Sequence, residues 1–173
     1  MRVGIFDHFG WAVAVTAAAD GEVVDRRRIE LVEPGLSPAP VHYDAASLDD
    51  AALTALVAEV RASVARCADA AFDELDAAVP GIESIALRAW PAHFPADLAT
   101  LRRAPYESRA DAVMYREAMG RVAEQRDWAV RQYDAKAVLA RLADDVLAAP
   151  RERLGPPWTK DHRVALAAAI LCR

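Results

Sequence analysis

Residues 11–18 (WAVAVTAA) put Trp11, Val13 and Val15 on one side of an extended chain and Ala12, Ala14 and Thr16 on the other. Only a strand has that period of two, and it constrains the fold more than any other feature of the sequence. Asp20-Gly21 follows, a dipeptide suited to tight hairpins. EVVDRRRIELV over residues 22–32 then reads as a further strand. Before the alternating run, RVGIFDH over 2–8 is short and β-rich, and Gly10 breaks it. The chain is therefore expected to open as a three-strand antiparallel meander. Arg26, Arg27 and Arg28 lie on the last strand, where charge either keeps a sheet edge from pairing with another sheet or meets nucleic acid.

From residue 47 the period changes to that of a helix. Ser47-Leu48-Asp49-Asp50 has the form of a capping box. Leu53, Leu56, Val57, Val60, Val64, Cys67, Ala71, Leu75 and Val79 follow at amphipathic spacings until Pro80-Gly81. The run is long enough for a break near Cys67. Residues 83–90 (ESIALRAW) form a strand that Pro91 stops, and residues 91–107 a loop. A second capping box, Ser108 to Asp111, starts a helix to about Arg126. DWAVRQY over 127–133 is a strand, Asp134 caps a helix through about Leu147, and a last helix runs from about Thr159 to Cys172. Strands separated by helices lie parallel. The expectation is one α/β domain over residues 1–173, with a mixed five-stranded sheet flanked by helices.

Composition narrows the partners. A hydrophobic share of 54% with 27% charged residues is that of a folded chain. The net charge of −5 argues against whole-surface attraction to nucleic acid and leaves room only for a local basic groove. Cys67 and Cys172 lie far apart without metal-type spacing, which predicts reduced thiols and a cytoplasmic setting. The apolar run in MRVGIFDHFG is too short for a leader, and no stretch reaches the ~20 apolar residues of a membrane span. A P-loop, a glycine-rich dinucleotide fingerprint, a serine elbow and a paired-cysteine zinc motif are all missing.

Two short pieces at opposite chain ends carry a family resemblance. VGIFDHFGWAVAV is a strand ending in an acid, then a glycine turn into a hairpin. DHRVALAAAI is an acid at the start of an alanine-rich closing helix. With the element order, they resemble the ribonuclease-H-like superfamily, in particular RuvC-like resolvases, their predicted-nuclease relatives and a group of actinobacterial proteins. The resemblance implies a metal-dependent nuclease in which Asp7 and Asp161 converge on magnesium or manganese, or a non-catalytic domain of the same fold that binds nucleic acid or a partner protein. The pattern departs at two places: Arg88 stands where the fourth strand's acid would be, and Val164 where a further acid of the final helix would be. An arginine there repels metal and attracts phosphate or carboxylate.

Other residues could complete such a site. His8 and His162 each follow one of the two acids and are candidate ligands. Glu107 is either a replacement acid or a helix-start charge. Arg109 and Arg116 share a helix face among Tyr106 and Tyr115, a mixture suited to nucleotide binding or to a solvated face. Lys136 would reach a phosphate or pair with Asp134. Trp158 would pack the connector or stack on a base, and Lys160 would steady phosphate charge. The meander edge and the long helix offer surfaces for a homodimer.

Overall fold

The period-two segments become strands β1 (Arg2–Asp7), β2 (Trp11–Ala17) and β3 (Val23–Glu30), joined as antiparallel neighbours. The Asp20-Gly21 turn is the three-residue kind: Gly21 N–H donates to Ala18 O at 3.0 Å, and Gly21 takes the positive φ (93°) that such a turn requires. The later strands, β4 (Ser84–Arg88) and β5 (Ala129–Tyr133), extend the sheet in parallel on the far side of β1. The order is β3-β2-β1-β4-β5, so the fold is mixed α/β as the sequence predicts. The computed structural model describes residues 1–172.

Both faces of the sheet are covered. On one face lie α1 (Asp50–Ala78) and, after the four-residue α2 (Leu98–Leu101), α3 (Glu107–Glu124). They bury Val60, Val64, Phe72, Leu75, Tyr115 and Met119 against Val3, Ile5, Ala12, Ala14, Ile85 and Leu87. The other face takes Val13, Val15, Ala17 and Ala86. It is covered by α4 (Ala135–Leu139), α5 (Asp144–Ala148), α6 (Pro150–Leu154) and above all α7 (Lys160–Leu171). The alanines of α7 let its backbone come close to β1. A Cβ on Gly4 would stand 1.9 Å from the carbonyl oxygen of Ala165. Glycine is therefore the one residue that fits under the helix there.

Four details depart from the sequence reading. The cap of α1 is Asp49, which accepts from Ala52 N–H at 2.8 Å, while Ser47 bonds back to Asp44 O. The helix runs unbroken past Cys67, because Val60, Val64, Ala68, Phe72 and Leu75 keep one buried stripe. Ser108 and Asp111 form no capping box: the Ser108 hydroxyl donates to Pro105 O, and Asp111 turns inward. The helix expected through Leu147 is divided into α4 and α5. Val138 and Leu147 both pack on the α7 side. Nine residues apart, they would be half a turn out of phase on one helix.

The basic run lies on an edge strand, and its charges are occupied. Arg26 donates to the carbonyls of Leu154, Gly155, Pro156 and Pro157. Arg27 pairs with Asp25, and Arg28 pairs with Glu30 while lying 4.0 Å above the Trp11 ring. Cys67 and Cys172 are free and half-buried. Among the described residues, no helix is long and apolar enough to cross a membrane.

Candidate functional site

The parallel strands β1 and β4 end side by side at Asp7 and Arg88, and α3 passes over both ends. Asp7 is only 1% exposed, so its carboxylate must find its partners within the protein. It finds two guanidinium groups. Arg88 engages it in the bidentate mode, Nε to Oδ1 at 2.8 Å and Nη2 to Oδ2 at 2.7 Å. The same Nη2 also donates to the Asp7 carbonyl. Arg116, from α3, brings Nε to both oxygens at 3.2 and 3.1 Å and ties Nη1 to Ala89 O at 3.2 Å. Arg88 in turn lies 4.5 Å from the centre of the Phe6 ring. One carboxylate thus fastens β1, β4 and α3 together.

The pKa values of the two arginines shift in opposite directions although they share a partner. Burial works against the charge of Arg88, but its hydrogen bonds and ion pair with Asp7 outweigh burial and raise its pKa. Burial dominates for Arg116, and the like charge of Arg88 adds to it, so its pKa falls despite Asp7. The contacts of Arg116 with Asp7 are also the longer of the two sets.

These residues form one side of a cleft of about 460 Å³, with Phe6, Phe9, Pro91 and Val113 as apolar walls and His8, Ser108 and Arg109 completing its lining. The Arg109 side chain is exposed and finds no acceptor among the described residues. Nη1 of Arg88 and Nη2 of Arg116 likewise find none. The cleft is therefore rich in unused donors and positive charge.

Asp161 occupies the same end of the molecule but has a different partner. Its Oδ2 lies 3.1 Å from Nε2 of His8. A carboxylate can only accept, so Nε2 carries the proton there. The His8 ring stacks on Trp11, with centroids 4.0 Å apart and planes 11° from parallel. Asp161 lines a second groove, of about 370 Å³, with Trp11, Arg26, Arg28 and Thr159. His8 stands between the two acids in this arrangement: it follows Asp7 in the chain and bonds Asp161 in space.

The remaining candidates disperse. His162 works in the cap of α7: Thr159 N–H donates to its Nδ1 at 3.2 Å, and the Thr159 hydroxyl accepts from the His162 backbone. Burial, then Arg26, lowers its pKa, consistent with a neutral ring that accepts at Nδ1. Trp158 donates from Nε1 to Leu147 O at 2.7 Å and packs the connector. Lys136 and Lys160 are exposed and line neither cavity. Glu107 begins α3, and its Oε2 is buried without a hydrogen-bond partner. It does not line the cleft.

A magnesium or manganese pair does not fit these residues. Such ions need carboxylate oxygens with free lone pairs, and both oxygens of Asp7 already accept from two guanidinium groups. Among the described residues, the only acid hydrogen-bonded to His8 is Asp161. Among the described residues, no three His, Cys, Asp or Glu side chains gather as a ligand set.

Two functional features were missed in the sequence. The first is the grip of Arg116 on Asp7. A buried strand-end acid beside an arginine was a signal that cations, not a metal, hold it. The second is Asp111. Buried on α3, it accepts from the N–H groups of Val41 at 3.2 Å and His42 at 2.9 Å in the single π turn Pro40–Asp44. Burial pushes its pKa up to about 6, although those two amides pull the other way. One helical turn on, Tyr115 donates to Pro38 O at 2.6 Å. Together they pin the loop whose His42 and Tyr43 contact Phe9 at the cleft. No protein-family model matches the chain, and no curated protein matches it.

Proposed function

We propose that this is a non-catalytic ribonuclease-H-like domain whose strand-end cleft binds a phosphate group of a nucleic acid. The ribonuclease-H-like part of the reading is supported by the sheet order, by β2 alone running opposite to the other four strands, and by α7 against β1. One observation carries the non-catalytic part: the first-strand acid is clamped by Arg88 and Arg116. An acid so held has exchanged metal coordination for a structural role. Its two cations, with Arg109, turn the cleft toward anions.

Two titrations test the reading. Manganese added in a calorimeter should give no heat of binding at millimolar concentration. A fluorescent single-stranded oligonucleotide should gain anisotropy with the protein, lose it as salt rises, and bind more weakly to Arg109→Ala. Manganese binding that disappears in Asp7→Asn would instead favour the metal-dependent nuclease. An oligonucleotide indifferent to salt and to Arg109 would remove nucleic acid as the ligand.

A further inference from the structure

We infer that the cleft selects a terminal phosphate, a phosphomonoester dianion, over an internal phosphodiester. This rests on the reading that the cleft binds phosphate, and it names the kind.

Charge balance is the first argument. Three guanidinium groups against the single carboxylate of Asp7 leave two net positive charges in the lining. A phosphomonoester at neutral pH carries nearly two negative charges, its second ionisation lying near pH ~6. A diester carries one and would leave a cation uncompensated in a partly buried site. Asp161 lies against His8 and Glu107 begins α3, and neither is part of the lining.

The donors give the second. Arg88 offers Nη1, Arg116 offers Nη2, and Arg109 offers its whole fork. These groups come from three places, the end of β4 and two positions seven residues apart on α3, and they line one chamber. Three sets of donors lining one chamber match in number the three terminal oxygens of a monoester; a diester has only two unesterified oxygens.

The shape of the charge is the third. A strand of diesters calls for a line of cations along its track. Three other arginines are occupied elsewhere: Arg26 on four carbonyls, Arg28 on Glu30, and Arg102 on Asp50 and the carbonyls of Ala45 and Leu48. Lys136 and Lys160 are outside the lining. The apolar walls Phe6, Phe9, Pro91 and Val113 leave space for the first organic group beyond the phosphate. That group belongs either to a nucleic-acid end or to a small phosphorylated molecule.

The test uses the full chain and four probes: one labelled oligonucleotide with a 5′-hydroxyl, the same oligonucleotide with a 5′-phosphate, a version with a 3′-phosphate, and phenyl phosphate as competitor. At least one phosphorylated end should bind about tenfold tighter than the hydroxyl form, phenyl phosphate should displace it, and Arg109→Ala should reduce the preference severalfold. A phosphorylated oligonucleotide that outcompetes phenyl phosphate would identify a nucleic-acid end; equal affinities would identify a small molecule. Equal binding of phosphorylated and hydroxyl oligonucleotides, both weakened by Arg109→Ala, would overturn the terminal-phosphate inference and leave the phosphate-binding reading intact. If neither the oligonucleotides nor phenyl phosphate bind at millimolar concentration, both fall.

Discussion

Asp7 and Asp161 share one end of the molecule and carry the same functional group, yet their environments separate their roles. Asp7 is 1% exposed and held by two arginines. Asp161 is 25% exposed and meets one histidine that is itself 34% exposed. Burial makes the difference. A carboxylate inside the protein loses its hydration and is stable only with full compensation, so Arg88 and Arg116 are structural necessities. A carboxylate at the surface keeps part of its hydration, and its partner adds little. Two acids aligned in sequence for one chemical task can thus become a rivet and a surface contact.

The contrast is open to direct attack, starting with its strongest arm. Arg88→Ala leaves a buried charge with half its compensation and should cost about 3–5 kcal/mol in urea unfolding. A loss below about 1 kcal/mol would mean that Asp7 is not a rivet. Gly4→Ala should cost about 3 kcal/mol or more, since a Cβ there meets the backbone of α7 rather than a movable side chain. It displaces the helix that carries Asp161 while leaving the Asp7 contacts in place. Spectral change confined to residues around Asp161 and His8 would sharpen the distinction; change around Arg88 and Arg116 as well would blur it.

Asp111 adds a third kind of acid, buried with amides in place of cations. Its folded-state pKa of about 6 lies above the ordinary 3.8, so the folded state holds the proton more tightly than the unfolded chain. The resulting stability is fully present below about pH 4 and is lost as pH rises through about 6, a change of roughly 3 kcal/mol at most. Urea midpoints taken from pH 4 to 7.5 should show that slope in the wild type, and Asp111→Asn should flatten it. Parallel profiles for the two proteins would assign the slope to another group. The smallest effect belongs to Asp161→Asn, with a cost of no more than about 1 kcal/mol. A larger one would put Asp161 on the same footing as Asp7.

The sheet was readable because its signals are local. Alternation at residues 11–18, the Asp20-Gly21 turn and the helical stripe of α1 each declare an element within a few residues. The meeting of the chain's two ends was expected only through the family resemblance; α7 does pack on β1, but Asp7 and Asp161 line different cavities. The site was only half legible. Arg88 and Arg109 were placed among the anion-binding candidates, and both line the cleft. The grip of Arg116 spans 109 residues of sequence, and nothing around position 116 signals it. Asp111 was misread because an acid in a helix's first turns resembles a cap until the distant loop that needs its oxygens is in place. His162 shows the same limit at short range, since a histidine can take the capping position usually held by Glu or Gln.

The missing side chain at Gly4 has a consequence for whatever occupies position 161. With backbone resting on backbone, α7 has no cushion of flexible atoms that would let it slide along β1. Its axial setting is fixed by the peptide groups of Ala165 and Ala169, a turn or two below its first residues. Substitutions at the helix start can therefore alter the chemistry presented beside His8 while the spacing between strand end and helix start stays the same.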